Sequence, residues 1–210
     1  MRDQLLRKIY KLGAFCRSKR IDVFRRMLGK IPLFFKAGWV SKKFATCGEN
    51  FYIESPYTIV GHEYIKIGNN FESRGRLRLE AYATHGGETY TPEITIGDNV
   101  ALNFDCHIGC INKIVIGNNV LMASKIFITD HFHGDVDATI LTTPPGQRKL
   151  VSKGPVIIED NVWIGEGVVI MPNITIGKNS VIGANAVVTK SFPANAVIAG
   201  NPARLIRIIE

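Results

Sequence analysis

Long apolar runs are missing from this chain. Its best candidate for a membrane span, "IPLFFKAGWV", covers residues 31–40 and is interrupted by Lys36, whereas crossing a bilayer takes about 20 apolar residues. Nor do the first residues form the apolar centre of a secretory signal, because charges separate them. The expected location is therefore cytoplasmic. Cysteine is scarce too. Cys16, Cys47, Cys106 and Cys110 make no Cys-x-x-Cys pair and no dense framework, which excludes a disulfide-stapled secreted scaffold and fits reduced thiols. Acidic residues are rare in one region only. Residues 1–43 carry 13 of the 26 Lys and Arg but only Asp3 and Asp22 of the 18 acids, a formal +11. The remaining 13 basic and 16 acidic side chains leave residues 44–210 at −3.

What is present is enough apolar material, 46% of 210 residues, for one domain with a sizeable core and at most a small appendage. Within residues 1–43, Leu5, Leu6, Ile9 and Leu12, then Val23, Phe24, Met27, Leu28 and Ile31, recur at helical spacing. Two short amphipathic helices are expected, the second ended by Pro32. A basic amphipathic segment can cap the neighbouring domain, or lie on an anionic membrane or lipid-linked substrate. No nucleic-acid motif accompanies the charge, so no nucleic-acid partner is expected.

From about residue 50 the beat changes to six. Ile158, Ile164, Ile170, Ile176, Ile182 and Val188 are evenly spaced, with Val162, Val168, Ile174, Ser180 and Ala186 each four residues after a lead. Ile96, Leu102 and Ile108 keep the same beat, as do Ile116, Met122 and Ile128 after a two-residue slip, and Ile67 to Phe71 is a worn copy. On a helix, leads six residues apart wander around the axis. Six-residue steps instead make short strands with corners, and the coils stack into a solenoid whose leads pile up inside. Gly and Asn, which follow several leads, suit such corners because they tolerate positive φ.

These hexads, with "VWIGEGVVIMPNITIGKNSVIGANAVVTK" and the tail "GNPARLIR", resemble the hexapeptide-repeat acyltransferases. The resemblance runs over roughly residues 50–210 and is nearest to the maltose, galactoside and polysaccharide O-acetyltransferase branch. It implies an all-β solenoid, a left-handed parallel β-helix, assembled as a homotrimer and using acetyl-CoA as donor without a metal. The expected organisation is a basic amphipathic helical segment at 1–45 and an acyltransferase domain at 46–210 with a loop at 132–155.

The repeat stops at "ITDHFHGD", residues 128–135. Moving an acetyl group from a thioester to an alcohol calls for a base near neutrality, a role that suits histidine. His131 stands where the family's catalytic histidine falls. His133 is a candidate for orienting the acceptor or a solvated neighbour. Asp130 or Asp135 could orient the imidazole, or both could be solvated loop residues. By resemblance "ALNFDCHIG" supplies a catalytic asparagine, Asn103, with Asp105 as a weaker candidate acceptor contact. Asn103 and His131 lie four hexads apart, one coil plus one side. They should therefore occupy different edges of one prism and meet only across a subunit boundary. The long Pro- and Thr-containing excursion after His133 is expected to wall the acceptor site.

For the donor, the resemblance places Gly165, Ala184, Thr189 and Lys190 along the coenzyme A groove and Arg204 and Arg207 at its nucleotide end. Trp163 reads as a packing residue at the rim. Ser180 and Ser191 have no base partner in a motif, so direct attack in a ternary complex is expected over an acyl-enzyme, with backbone N–H groups holding the oxyanion. The acceptor expected is a saccharide hydroxyl in surface or capsular polysaccharide biosynthesis, reached through peripheral contact of residues 1–43 with the inner membrane face. The alternatives are another small alcohol or xenobiotic, a zinc carbonic anhydrase built on His107, His131 and His133, and a scaffold without catalysis.

Overall fold

The computed structural model describes residues 35–135 and 141–210. Both helices expected before Pro32 lie outside the described residues. A short helix at 35–41 tucks Ala37 and Val40 inward and leaves Phe35 and Trp39 exposed. No described helix is long and apolar enough to cross a membrane.

From Thr46 the chain winds into a three-sided parallel solenoid. The first face stacks Thr46–Cys47, Ile65–Ile67, Glu93–Ile96, Lys113–Ile116, Val156–Ile158 and Ile174–Ile176. Tyr52–Ile53, Glu72–Ser73, Ala101–Leu102, Leu121–Met122, Trp163–Ile164, Val181–Ile182 and Ala196–Ala199 make the second. The third holds Tyr57–Val60, Leu77–Ala81, His107–Cys110, Phe127–Thr129, Val169–Ile170 and Val187–Val188.

Strand register turns the six-residue beat into columns. Ile96, Ile116, Ile158 and Ile176 stack on the first face. Leu102, Met122, Ile164 and Ile182 stack on the second, and Ile108, Ile128, Ile170 and Val188 on the third. All twelve are buried, and each contributes roughly 1.5–3 kcal/mol of apolar burial. Ser180 is buried among them because its Oγ accepts the Ala196 N–H at 3.1 Å and donates to the Pro193 carbonyl at 3.3 Å.

An asparagine ladder closes one edge. Asn50, Asn70, Asn99, Asn119, Asn161, Asn179 and Asn195 all sit at positive φ between the first and second faces. Each carboxamide nitrogen donates to the next carboxamide oxygen at 2.8–3.0 Å. The ends of the solenoid are covered as well. Phe44, Phe51 and Phe71 pack ring to ring at the start, while Arg204–Ile208 adds antiparallel to Ala196–Ala199 at the other end.

Two excursions leave the coils at the edge between the third and first faces. The earlier carries the hairpin Thr84–His85 with Glu88–Thr89, for which the six-residue pattern gave no signal. The later folds Phe132–His133 back on Leu150–Val151. They touch, the Leu150 N–H donating to the Tyr90 hydroxyl at 3.0 Å.

Candidate active site

At that edge the chain turns from Thr129 into the second excursion. The Asp130 side chain is fully buried. Its carboxylate accepts three consecutive backbone N–H groups from the coil beneath, Ile111 at 3.0 Å and Asn112 and Lys113 at 2.8 Å each. The Cys110 thiol adds a contact at 3.2 Å. The two-residue slip between Ile108 and Ile116 thus has a physical purpose, because the extra residues form the widened corner whose amides receive this carboxylate. Burial alone would raise the Asp130 pKa; hydrogen bonds from His131 and the Ile111 and Asn112 amides outweigh it and hold the carboxyl below its ordinary value. Asp130 is therefore no solvated loop residue. Asp135 is the exposed one, 3.0 Å from Lys153.

The remaining lone pairs of Asp130 fix the neighbouring imidazole. His131 Nδ1 lies 2.9 Å from Asp130 Oδ1. An ionised carboxylate only accepts, so Nδ1 carries the proton and Nε2 keeps its lone pair. Thr129 Oγ1, 3.2 Å from Nδ1 and 3.3 Å from the His131 backbone nitrogen, steadies the ring from the other side.

His131 opens onto a cleft of about 340 Å³ on the third face, whose walls include Glu80, His107, Gly109, Phe127, His133 and Met171. Glu80 is 4% exposed. It accepts from Arg78 Nε and Nη2 at 3.2 and 3.0 Å and lies 3.0 Å from His107 Nε2. Burial opposes its ionisation, but hydrogen bonds from Arg78 and Tyr82 and the Arg78 charge bring its pKa below the usual value. Burial and the nearby Arg78 charge lower the His107 pKa, so that imidazole is neutral and presents Nε2–H to Glu80. His133 stacks edge-on against His85 with ring centres 5.7 Å apart. Its pKa is lowered by burial and by the imidazoles of His85 and His131.

The other sequence candidates fall on two separate edges. Asn103 and Gly165 continue Leu102 and Ile164, two members of one column, into the corner between the second and third faces. A Cβ on Gly165 would come within 2.7 Å of the Ala184 nitrogen, so Ala184 stacks directly on it. Thr189 and Lys190 share the opposite corner with His131, Met171 standing between the coils. Arg204 and Arg207 are exposed on the last strand. Within one chain Asn103 and His131 are therefore not brought together. The Asn103 carboxamide donates to the Met122 carbonyl at 3.0 Å, which locks it in its corner. Asp105 is a corner residue at φ 61° whose carboxylate pairs with Arg76, Nη2 to Oδ2 being 2.7 Å. Trp163 lies 54% exposed on the second face, beside Leu121 and Val181 in the register.

The zinc reading needs three imidazoles around one open position. Among the described residues no three His, Cys, Asp or Glu side chains form a metal-binding group, and His107 and His131 turn to separate carboxylates. Sequence reasoning missed Glu80, the Arg78 pair and the depth of Asp130. Only the slip in the beat and the Asp-His adjacency signalled the last of these.

A three-sided coil of hexads, with a buried carboxylate orienting an imidazole where the coil is interrupted, defines a hexapeptide-repeat transferase. The family model for the bacterial transferase hexapeptide (six repeats) matches residues 155–190. WbbJ of Escherichia coli K12, a proposed lipopolysaccharide biosynthesis O-acetyl transferase, is 40% identical over 159 residues, spanning 74% of this chain and 77% of WbbJ. Galactoside O-acetyltransferase of the same strain is 35% identical over 176 residues, 81% of this chain and 67% of that one. A galactoside acetyltransferase solved in complex with coenzyme A superposes with a TM-score of 0.53 at 32% identity, covering 98% of this chain and 80% of that chain. The chain belongs to the hexapeptide-repeat O-acetyltransferases, and its solenoid is their left-handed β-helix. It is an acetyltransferase.

Proposed function

We propose that the chain transfers the acetyl group of acetyl-CoA to a hydroxyl of a saccharide destined for a surface polysaccharide, with His131 as general base. The observation that carries this reading is the Asp130–His131 pair, in which a buried carboxylate anchored by three backbone amides holds Nδ1 of an imidazole that lines the cleft and so leaves Nε2 to act as the base. Acetyl-CoA supplies an activated thioester. His131 Nε2 takes the proton of the acceptor hydroxyl as its oxygen attacks the thioester carbon, the carbon–sulfur bond breaks, and the same nitrogen returns the proton to the departing sulfur. Asn103 helps to hold the acceptor oxygen.

The residues assigned to the donor fit an extended thioester ligand. Gly165 and Ala184 make a side-chain-poor strip along one edge, Thr189 and Lys190 follow the other, and Arg204 and Arg207 offer exposed charge for phosphates. A groove containing both strips forms when the His131 edge of one chain faces the Asn103 edge of a second. A homotrimer with three such grooves is the assembly proposed. Support for a saccharide comes from the names of WbbJ and of galactoside O-acetyltransferase. We further propose that the protein works in the cytoplasm; the +11 charge of residues 1–43 supports contact with the anionic inner membrane face.

Release of free CoA should be measured against simple sugars, nucleotide sugars and lipid-linked oligosaccharides. Turnover with at least one sugar, abolished in His131→Ala, is the expected result; turnover that survives the substitution would rule out the base.

A further inference from the structure

The third face carries an unusual vacancy. Glu80, Gly109 and Thr129 stack in register, one above the next, and the central position of this column has no side chain. A Cβ on Gly109 would lie 3.5 Å from His131 Cε1 and 3.6 Å from His107 Nε2. The bare backbone of Gly109 is thus the floor of a slot between the base and the His107 imidazole. Alanine fits there at ordinary contact distance, while any longer side chain fills the slot.

The slot's wall is polar and electrically balanced. Glu80 is buried and ionised, Arg78 neutralises it through two hydrogen bonds, and neutral His107 donates to it. Apolar surface adjoins this wall: the Phe127 ring lies 5.1 Å from that of His107, and Phe132 and Met171 also line the cleft. Paired donors and acceptors next to aromatic and apolar surface are the pattern a pyranose requires, since its hydroxyls project from a ring with an apolar face. A net charge near zero disfavours a charged sugar.

We propose that this slot is the acceptor subsite: a neutral pyranose lies on Gly109, the hydroxyl to be acetylated at His131 and its vicinal hydroxyl at the Glu80–His107 pair. The assignment rests on the saccharide reading above. His107 and Glu80 are specificity-determining residues in it, and Gly109 is its steric gate.

The test uses the full chain with methyl α-D-glucopyranoside and methyl β-D-galactopyranoside as probes. Sugar binding is read by saturation-transfer NMR and CoA release by steady-state kinetics. Wild type should bind at least one probe, and Gly109→Val should abolish that signal while keeping the wild-type melting temperature within a few degrees. In Gly109→Ala and His107→Phe the acceptor KM should rise tenfold or more, with the KM for acetyl-CoA within twofold of wild type. A monodeoxy probe lacking the vicinal hydroxyl should cancel the difference between wild type and His107→Phe. Wild type that binds neither sugar, or Gly109→Val that binds both undiminished, overturns the subsite. Binding without CoA release overturns the transfer to these sugars but leaves the subsite standing. If Gly109→Val fails to fold, the Gly109→Ala and deoxy-sugar KM values decide, and an acceptor KM unchanged in both substitutions overturns the proposal.

Discussion

Asp130 Oδ1 stands 2.9 Å from His131 Nδ1, while Oδ2 of the same carboxylate accepts the backbone amides of Asn112 and Lys113 from the coil below. One side chain thereby ties the orientation of the base to the winding of the solenoid.

Asp130→Asn should lower kcat by about 10²–10⁴, because the carboxamide no longer fixes the Nδ1–H tautomer. Acetyl-CoA KM should change little. Wild-type kcat in the variant would show that Thr129 orients the ring alone.

The same residue predicts an acid limb of stability. Asp130 has a folded-state pKa below its unfolded value. Its contribution is therefore complete above the unfolded value of about 3.9 and is lost as pH falls through the depressed folded value. Urea unfolding at pH 7 and pH 3 should show a smaller pH difference in Asp130→Asn than in wild type, with a loss of about 1–3 kcal/mol at pH 7 from amides left poorly paired. An equal pH difference in both proteins would show that other carboxylates govern the acid limb.

Asn103 and His131 occupy different edges, so their defects should complement. Refolding equal amounts of Asn103→Ala and His131→Ala chains together should restore about a quarter of wild-type activity if each site joins two subunits of a trimer. No recovery would place both residues' contributions within single chains.

The asparagine ladder makes a separate claim about stability. Asn161 holds φ 60° and lies between the carboxamides of Asn119 and Asn179. Asn161→Ala should cost about 1–3 kcal/mol through αL strain and two lost hydrogen bonds. Asn161→Gly, which relieves the strain, should cost less. Equal losses would mean that the hydrogen bonds alone matter.

Burial separates the described thiols. Burial raises the pKa of all three, Cys106 to about 11 and Cys110 beyond it, with the Asp130 charge adding to the rise at Cys110. Under native conditions at pH 8 a thiol reagent should modify half-buried Cys47 well before Cys106 or Cys110; modification of Cys110 at the same rate would show that this corner opens.

Spacing alone determined much of this protein. Because a stacked coil brings every lead residue back to the same place, the positions of Ile158, Ile164 and Ile170 in sequence already fix their columns, and a local period suffices to predict them. The Asn corners were legible for the same reason, whereas glycines after the leads such as Gly165 take no positive φ and are needed instead because a Cβ there would come within 2.7 Å of the next coil's backbone. Functional parts that break the period were less so. The stretch holding His131 and His133 was marked by where the beat stops, and resemblance to the family singled out His131 within it, but the seat of Asp130 required Ile111, Asn112 and Lys113 to arrive from the preceding coil, and Glu80 reaches His107 only across the gap at Gly109. Those contacts join residues from different coils, through side-chain directions that no local pattern encodes. Tertiary structure alone decided them.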